Sequence, residues 1–188
     1  EAIEAQEVSF RLLAQNVANN GLTDRVRIHH GDLRDRLPFA EKADLVTGTP
    51  PYLPPGTATE ALDGQRAHAR IELRGGVEAY CLAAAACLAS GGAFVICADA
   101  RTPERTEAAG RAAGLHPRAK RDVIPRAGKG ALFTLHTFVR AEERPENSAI
   151  DILDPVYVRD AKSELTEQSY ALRETFGLGR RARQPQES

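Results

Sequence analysis

The chain has no methionine at any of its 188 positions, no apolar run long enough to cross a bilayer, and no surplus of either charge. Each absence narrows the reading. Without a stretch of about 20 apolar residues no transmembrane helix is expected, and so no membrane partner. Twenty-five basic side chains stand against 26 acidic ones, a formal net charge of −1, so nothing pulls the whole molecule toward nucleic acid or an anionic surface. Cysteine is scarce as well. Cys81, Cys87 and Cys97 are odd in number, lie in apolar segments and lack metal-ligand spacing. They read as small buried thiols in a reducing cytoplasm, with no metal expected. The chain starts within a strand-like Ala2-Ile3-Glu4 and has no initiating methionine, which leads us to expect an N-terminal portion ahead of residue 1. The length suits one domain with a sizeable core.

Residues 1–140 alternate strand and helix patterns, which argues for a layered α/β domain. Residues 6–20 place Val8, Leu12 and Val17 near one helical face and stop at Asn20-Gly21. Strands are expected over 26–30 and 43–47, and residues 53–75 read as a long loop rich in Pro, Gly, Thr and Arg. Val77, Tyr80, Cys81, Ala84 and Leu88 mark a helix closed by Ser90-Gly91-Gly92. Then come a buried strand over 93–97 and a helix over 102–113 stopped by Gly114. Strands over 118–124 and 132–139, joined by residues 125–130, predict an antiparallel hairpin. Residues 141–178 form a C-terminal extension opened by a linker-like stretch, with a strand over 156–159 and a helix over 166–176. Residues 179–188 read as a disordered basic tail.

The most informative motif is Thr49-Pro50-Pro51-Tyr52, at the end of the apolar strand Ala43-Asp44-Leu45-Val46-Thr47. Two prolines fix φ and leave their carbonyls outside any ladder, and the residue before each is pushed to extended backbone. The tyrosine ring offers a face on which a planar group stacks. Such a corner suits a grip on an exocyclic amine; it also suits a stiff connector with a core tyrosine, and four residues alone do not separate the two. Position adds weight. Ligands of open α/β sheets bind at the carboxyl ends of the strands. Glu4, Gly31-Asp32-Leu33 and Thr49-Pro50-Pro51-Tyr52 all fall at successive strand ends. There an acidic residue can accept both hydroxyls of a ribose. Asp32 can accept from an adenine amino group while the Leu33 amide donates to a ring nitrogen. A strand-ending Asp is also a common turn or N-cap residue.

With these residues in place, the chain resembles the class I, S-adenosylmethionine-dependent methyltransferases, and among them the tRNA adenine-N6 methyltransferase group with its Asn-Pro-Pro-Tyr signature. The similar stretches include Ile3-Glu4-Ala5-Gln6, residues 26–35, 43–56 and 70–80, and the segment from Val158-Arg159-Asp160 to Phe176-Gly177-Leu178. The resemblance implies a Rossmann-like, mostly parallel sheet with an antiparallel hairpin at its end. It implies that Glu4 binds the cofactor ribose, that Asp32 and Leu33 read its adenine, and that Thr49, Pro50, Pro51 and Tyr52 hold the target amine. The implied reaction is methyl transfer from sulfonium to the exocyclic amine of an adenine in tRNA. On the long loop, Arg66, Arg70 and Arg74 are candidates for phosphates of that RNA, or charges on a solvated loop with Glu72 as partner.

Two departures from the family pattern stand out. Thr49 occupies the place of Asn, and a hydroxyl is a shorter acceptor whose orientation is not fixed. No Gly-x-Gly-x-Gly is present; in this fold that loop follows the first strand, upstream of Glu4, so the sheet is expected to lack its first strand and the glycine-rich loop. Related Pro-Pro-Tyr enzymes methylate a release-factor glutamine or a ribosomal-RNA guanine, and both acceptors are kept as alternatives. A third reading is a cofactor-free RNA- or protein-binding module. The cluster Arg118, Lys120, Arg121, Arg126 and Lys129 reads either as a phosphate contact or as a charged strand edge.

Overall fold

The computed structural model describes residues 1–35, 37–53, 56, 70–145 and 147–179. Strand β1 (Ala2–Glu4) leads into helix α1 (Glu7–Asn19) and strand β2 (Ile28–His30), and the two strands pair in parallel as a small sheet of their own. The second sheet has five strands. They are β3 (Ala43–Gly48), β4 (Leu88–Asp99), β5 (Leu115–Ile124), β6 (Phe133–Arg140) and β7 (Asp151–Tyr157), in the order β3-β4-β6-β5-β7. Four of them run one way and β6 opposes them. Helices α2 (Val77–Cys87) and α3 (Pro103–Ala112) link β3 to β4 and β4 to β5, and α4 (Glu167–Thr175) closes the chain. Among the described residues no helix is long and apolar enough to cross a membrane.

Packing follows the strand period of two and the helix period of 3.6. On one face of the second sheet Phe94, Ile96, Phe138 and His136 are almost wholly buried, and their rings stack, Phe94 on Phe138 at 6.0 Å and His136 on Phe138 at 6.1 Å. From α2, Val77, Cys81 and Ala84 meet this face, and Ala109 meets it from α3. Gly110 lets α3 come close: a Cβ there would lie 2.2 Å from the Phe138 ring. Burial pushes the Cys81 thiol up to about 12, which leaves it a packing residue and not a nucleophile at neutral pH.

The chain departs from the sequence expectation in three places. Ser90-Gly91-Gly92 does not close α2. That helix stops at Cys87 and β4 starts at once with the buried Leu88, while Gly91 takes φ +74° and its N–H donates to Glu143 Oε1 at 2.7 Å. The late strand is centred on 151–157, not on 156–159. Asp151 and Asp154 are exposed together with Ile152 and Leu153, and Pro155 is tolerated because, among the described residues, β7 is an edge strand. Consequently β5 is no exposed edge. It lies between β6 and β7, so edge protection does not explain Arg118, Lys120 and Arg121. Lys120 instead pairs with Glu107 at 3.1 Å, and Arg126 donates to Ser163 Oγ at 3.1 Å.

Candidate functional site

The carboxyl ends of β1, β2 and β3 meet around a cavity of about 310 Å³, within the size range of small-molecule sites. Glu4, Asp32, Leu33, Thr49 and Pro51 all line it, residues that lie up to 47 positions apart along the chain. The paired strands β1 and β2 and the end of β3 from the other sheet are enough to gather them.

Each carboxylate already has a local partner. Glu4 Oε1 accepts from the Gln6 N–H at 2.8 Å, which holds the turn into α1. Asp32 accepts three hydrogen bonds from one residue: the Arg34 backbone N–H at 3.0 Å, its Nε at 2.9 Å and its Nη2 at 2.7 Å. The Arg34 side chain, helped by its backbone N–H, holds the Asp32 carboxyl below the usual range against a smaller opposing effect of burial. Asp32 is therefore an anion at any neutral pH. Its turn geometry is the local role the sequence allowed for, and its place on the cavity wall is the other.

One aromatic wall residue fell outside the sequence-based site. Tyr80 of α2 lines the cavity, and burial, followed by the charges of Glu4 and Asp32, raises its phenol pKa. It is thus a protonated hydroxyl facing two carboxylates. Gly48 makes room for it, since a Cβ at that position would lie 2.7 Å from the Tyr80 ring. That glycine ending an apolar strand was the available signal, but helical periodicity alone accounted for Tyr80. Arg74 also lines the cavity and donates to the Ala5 carbonyl at 3.1 Å.

The proline corner is split. Thr49 and Pro51 face the cavity, whereas Pro50 is buried and Tyr52 turns aside to pack edge-on against Phe133 of β6, ring centroids 5.6 Å apart. Tyr52 stays half-buried at the surface. Just beyond it, Leu53 and Arg70 bring the two ends of the long segment together. The Leu53 N–H donates to the Arg70 carbonyl at 3.1 Å, and the Glu72 N–H donates to the Leu53 carbonyl at 3.0 Å. Arg70 is exposed and does not line the cavity, and Arg66 lies outside the described residues. The returning segment is anchored firmly. Arg105 of α3 grips Glu72 at 2.8 and 2.9 Å and Glu78 at 2.7 and 2.9 Å, so one guanidinium joins that segment to α2. Among the described residues, Glu72 is thus claimed by Arg105.

No family model matches the sequence, and no curated protein does. Solved structures do match. A predicted O-methyltransferase from Agrobacterium tumefaciens superposes with a TM-score of 0.62 at 17% identity, over 96% of this chain and 78% of that one. The M protein of the type I restriction enzyme EcoKI gives 0.53 at 15% identity, over 94% of this chain and 40% of its own. A protein of Thermoplasma acidophilum described as a methyltransferase gives 0.50 at 12% identity, over 80% of this chain and 59% of its own. The fold is that of the class I methyltransferases. At these identities the likeness is one of fold, and the chain spans well under half the length of the EcoKI M protein. Within the class I methyltransferase fold the cavity lies where the general rule for open α/β sheets places ligands, at the carboxyl ends of the strands.

Proposed function

We propose that this chain is an S-adenosylmethionine-dependent N-methyltransferase whose acceptor is the exocyclic amine of an adenine in tRNA. The observation that carries the reading is the convergence of Glu4, Asp32, Leu33, Thr49 and Pro51 on one cavity. The donor set fits the nucleoside half of the cofactor: two carboxylates, a backbone amide and a protonated phenol around a space of small-molecule size. When bound, the cofactor supplies an electrophilic methyl group on a sulfonium.

The chain's own residues then do the positioning. Glu4 accepts from ribose hydroxyls, and Asp32 accepts from the cofactor's adenine amino group while the Leu33 N–H donates to a ring nitrogen. The Thr49 hydroxyl and the Pro50 carbonyl accept the two hydrogens of the target amine. That favours a pyramidal nitrogen and frees a lone pair otherwise delocalised into the ring. Acceptors fixed in advance on a proline-stiffened corner act on the transition state by preorganised electrostatics. Tyr52, braced by Phe133, offers a ring face to the base, which must be unpaired or extruded to reach it. Arg70, with Arg66, meets backbone phosphates. The tRNA acceptor is supported by the likeness of Thr49-Pro50-Pro51-Tyr52 and of residues 75–80 to the tRNA adenine-N6 group.

Titration calorimetry with S-adenosylhomocysteine tests the cofactor step. One-to-one binding is expected, weakened about tenfold or more in Asp32→Ala, the usual cost of a lost hydrogen bond to a charged group. Absence of binding to the parent chain ends the reading. Labelled cofactor with total tRNA, ribosomal RNA and release factor then separates the acceptors, and label found only in protein rules out tRNA. Tyr52→Ala should abolish transfer while leaving cofactor affinity nearly unchanged.

A further inference from the structure

Basic residues that the cavity leaves unused gather at one end of the second sheet. Strands β3, β4, β5 and β7 run the same way, so their carboxyl ends lie along a common rim. Thr49-Pro50-Pro51-Tyr52 leaves that rim after β3 and Arg101 after β4. Arg126 and Lys129 leave it in the turn after β5, and Arg159 and Lys162 after β7. Contacts join these segments. Tyr52 packs on Phe133 at the start of β6, and Arg101 lies within electrostatic reach of the Tyr52 phenol. The Ala127 N–H donates to the Arg159 carbonyl at 2.9 Å. Arg126 donates to Ser163 Oγ at 3.1 Å, and Arg159 donates to the Ser163 carbonyl at 2.6 Å. All five cations are exposed, along a rim four strand spacings long, about 19 Å.

We infer that this rim is a track for the sugar–phosphate backbone of the single strand flanking the target base, running from Tyr52 toward the C-terminal extension. The inference rests on the methyl-transfer reading for the place of the base and adds where the rest of the strand lies. Charge balance argues for it. The whole chain has a net charge of −1. Yet among the described residues no carboxylate pairs with Arg126, Lys129, Arg159 or Lys162. Asp160 is occupied by its own turn, its Oδ1 accepting from the N–H groups of Lys162 and Glu164 at 2.8 and 3.0 Å. Asp99 takes Nε and Nη2 of Arg101, and Nη1 keeps its two donors. Like charges gathered from three segments repel one another unless an anion meets them. Ser163, on which two guanidinium groups converge, sits at φ +67°, a left-handed backbone that serine adopts at a cost. The turn beside it is bare. A Cβ at Gly128 or Gly130 would meet nothing within 4 Å, so a phosphate can come close to the backbone there. An acidic peptide would answer the charge but offers no base to the aromatic end of the track. A nucleic acid strand answers both, since single strands are held by basic grooves and aromatic platforms together.

The probe is a fluorescein-labelled RNA of about ten nucleotides with one central adenine, within the span of single-strand sites. It is titrated into the 188-residue chain without cofactor, by anisotropy, over a range of salt concentrations. The main variant combines Lys129→Gln with Lys162→Gln. Neither ammonium is bonded among the described residues, so circular dichroism should not change. Each phosphate met on a single strand contributes about 0.7 to the slope of log affinity against log salt. The double variant should therefore lose about 1.4 of slope and bind about 25-fold more weakly at 0.1 M salt. Arg111→Gln removes an exposed cation in the last turn of α3, at the opposite end of the sheet, and should change neither. The same sequence made as DNA separates the two sources of such a backbone. Loss of slope on both strands supports the track, and the tighter strand names the source. The inference is overturned if the double variant keeps the parent's slope, if the parent binds neither strand, or if Arg111→Gln loses as much. A polyglutamate peptide of equal length that binds as tightly as the RNA overturns it too. Calorimetry with S-adenosylhomocysteine reads the cavity and not this rim. Normal cofactor binding beside an unchanged salt slope therefore sinks the track alone, while absent cofactor binding sinks the methyl-transfer reading.

Discussion

The sheet face beneath α2 and α3 buries Phe94, Ile96, His136 and Phe138 to 1% exposure or less, whereas at the ends of β1, β2 and β3 both Glu4 and Asp32 keep contact with solvent. The first region is held by close packing, to the point that a glycine is needed where α3 crosses Phe138. The second is held by hydrogen bonds to charged groups and by strands three to six residues long. The difference is what a binding site requires. Carboxylates sealed in the packed region would lose their charge or unfold the chain, while at the open end they stay ionised and reachable. Stability and chemistry therefore sit in different places, and substitutions should separate them.

The largest effect is expected at the packed end. Phe138→Ala removes the ring against which Phe94, His136 and Gly110 are arranged, and should cost about 3–5 kcal/mol in urea unfolding. Gly110→Ala attacks the same contact from the helix side. Its added methyl meets an aromatic ring fixed in the core, so overpacking of about 1–3 kcal/mol is expected. If either variant unfolds no earlier than the parent, the packed face is not where the fold is held.

The same contrast explains what could be read in advance. α1, α3 and α4 lie within a residue or two of their expected bounds because apolar spacing and Gly or Asn stops act locally. Glu4, Asp32 and Thr49 were legible as neighbours because strand ends in such sheets converge, whatever the residues between them do. Tyr80 was not, since its place on an apolar helix already explained it; only the space above Gly48 shows where its ring points. Nor was the direction of Tyr52, which depends on Phe133 arriving from a strand 81 residues later. The first residues of β7, 151–155, escaped notice because their charges and proline contradict strand patterning, and backbone pairing with β5 decides the matter. The hold of Arg34 on Asp32 was equally hidden. A sequence shows that two charges are close along the chain, not that one side chain supplies two parallel donors to the other.

A smaller effect separates the two regions by pH. His136 is buried with its Nε2 lacking a hydrogen-bond partner among the described residues, and burial holds its pKa below the ordinary value. In the unfolded chain the ring titrates near about 6.5. Below that pH the unfolded state binds a proton that the folded core refuses, so stability falls as pH drops through the window between 6.5 and the lowered folded value. Denaturant midpoints measured from pH 8 downward should show this slope. His136→Phe, an apolar ring in the same stack, should flatten it; an unchanged slope would assign the pH dependence to other groups.

The smallest effect on stability, and the sharpest probe of the open end, is Arg34→Gln. Asp32 has a depressed pKa because of Arg34, so the pair's contribution is present above the ordinary aspartate pKa of about 3.9 and disappears as pH falls through the lower folded value. Arg34 is exposed, and water screens the pair, so its removal at neutral pH should leave the melting temperature within error. The carboxyl itself should respond. Followed by NMR of the side-chain carbon, the Asp32 titration should move upward in the variant, short of a full return because the backbone N–H of residue 34 still donates. A melting temperature that drops while the titration stays put would mean that this end of the molecule is held by the ion pair as firmly as the other is held by its rings, and the contrast between the two regions would then fail.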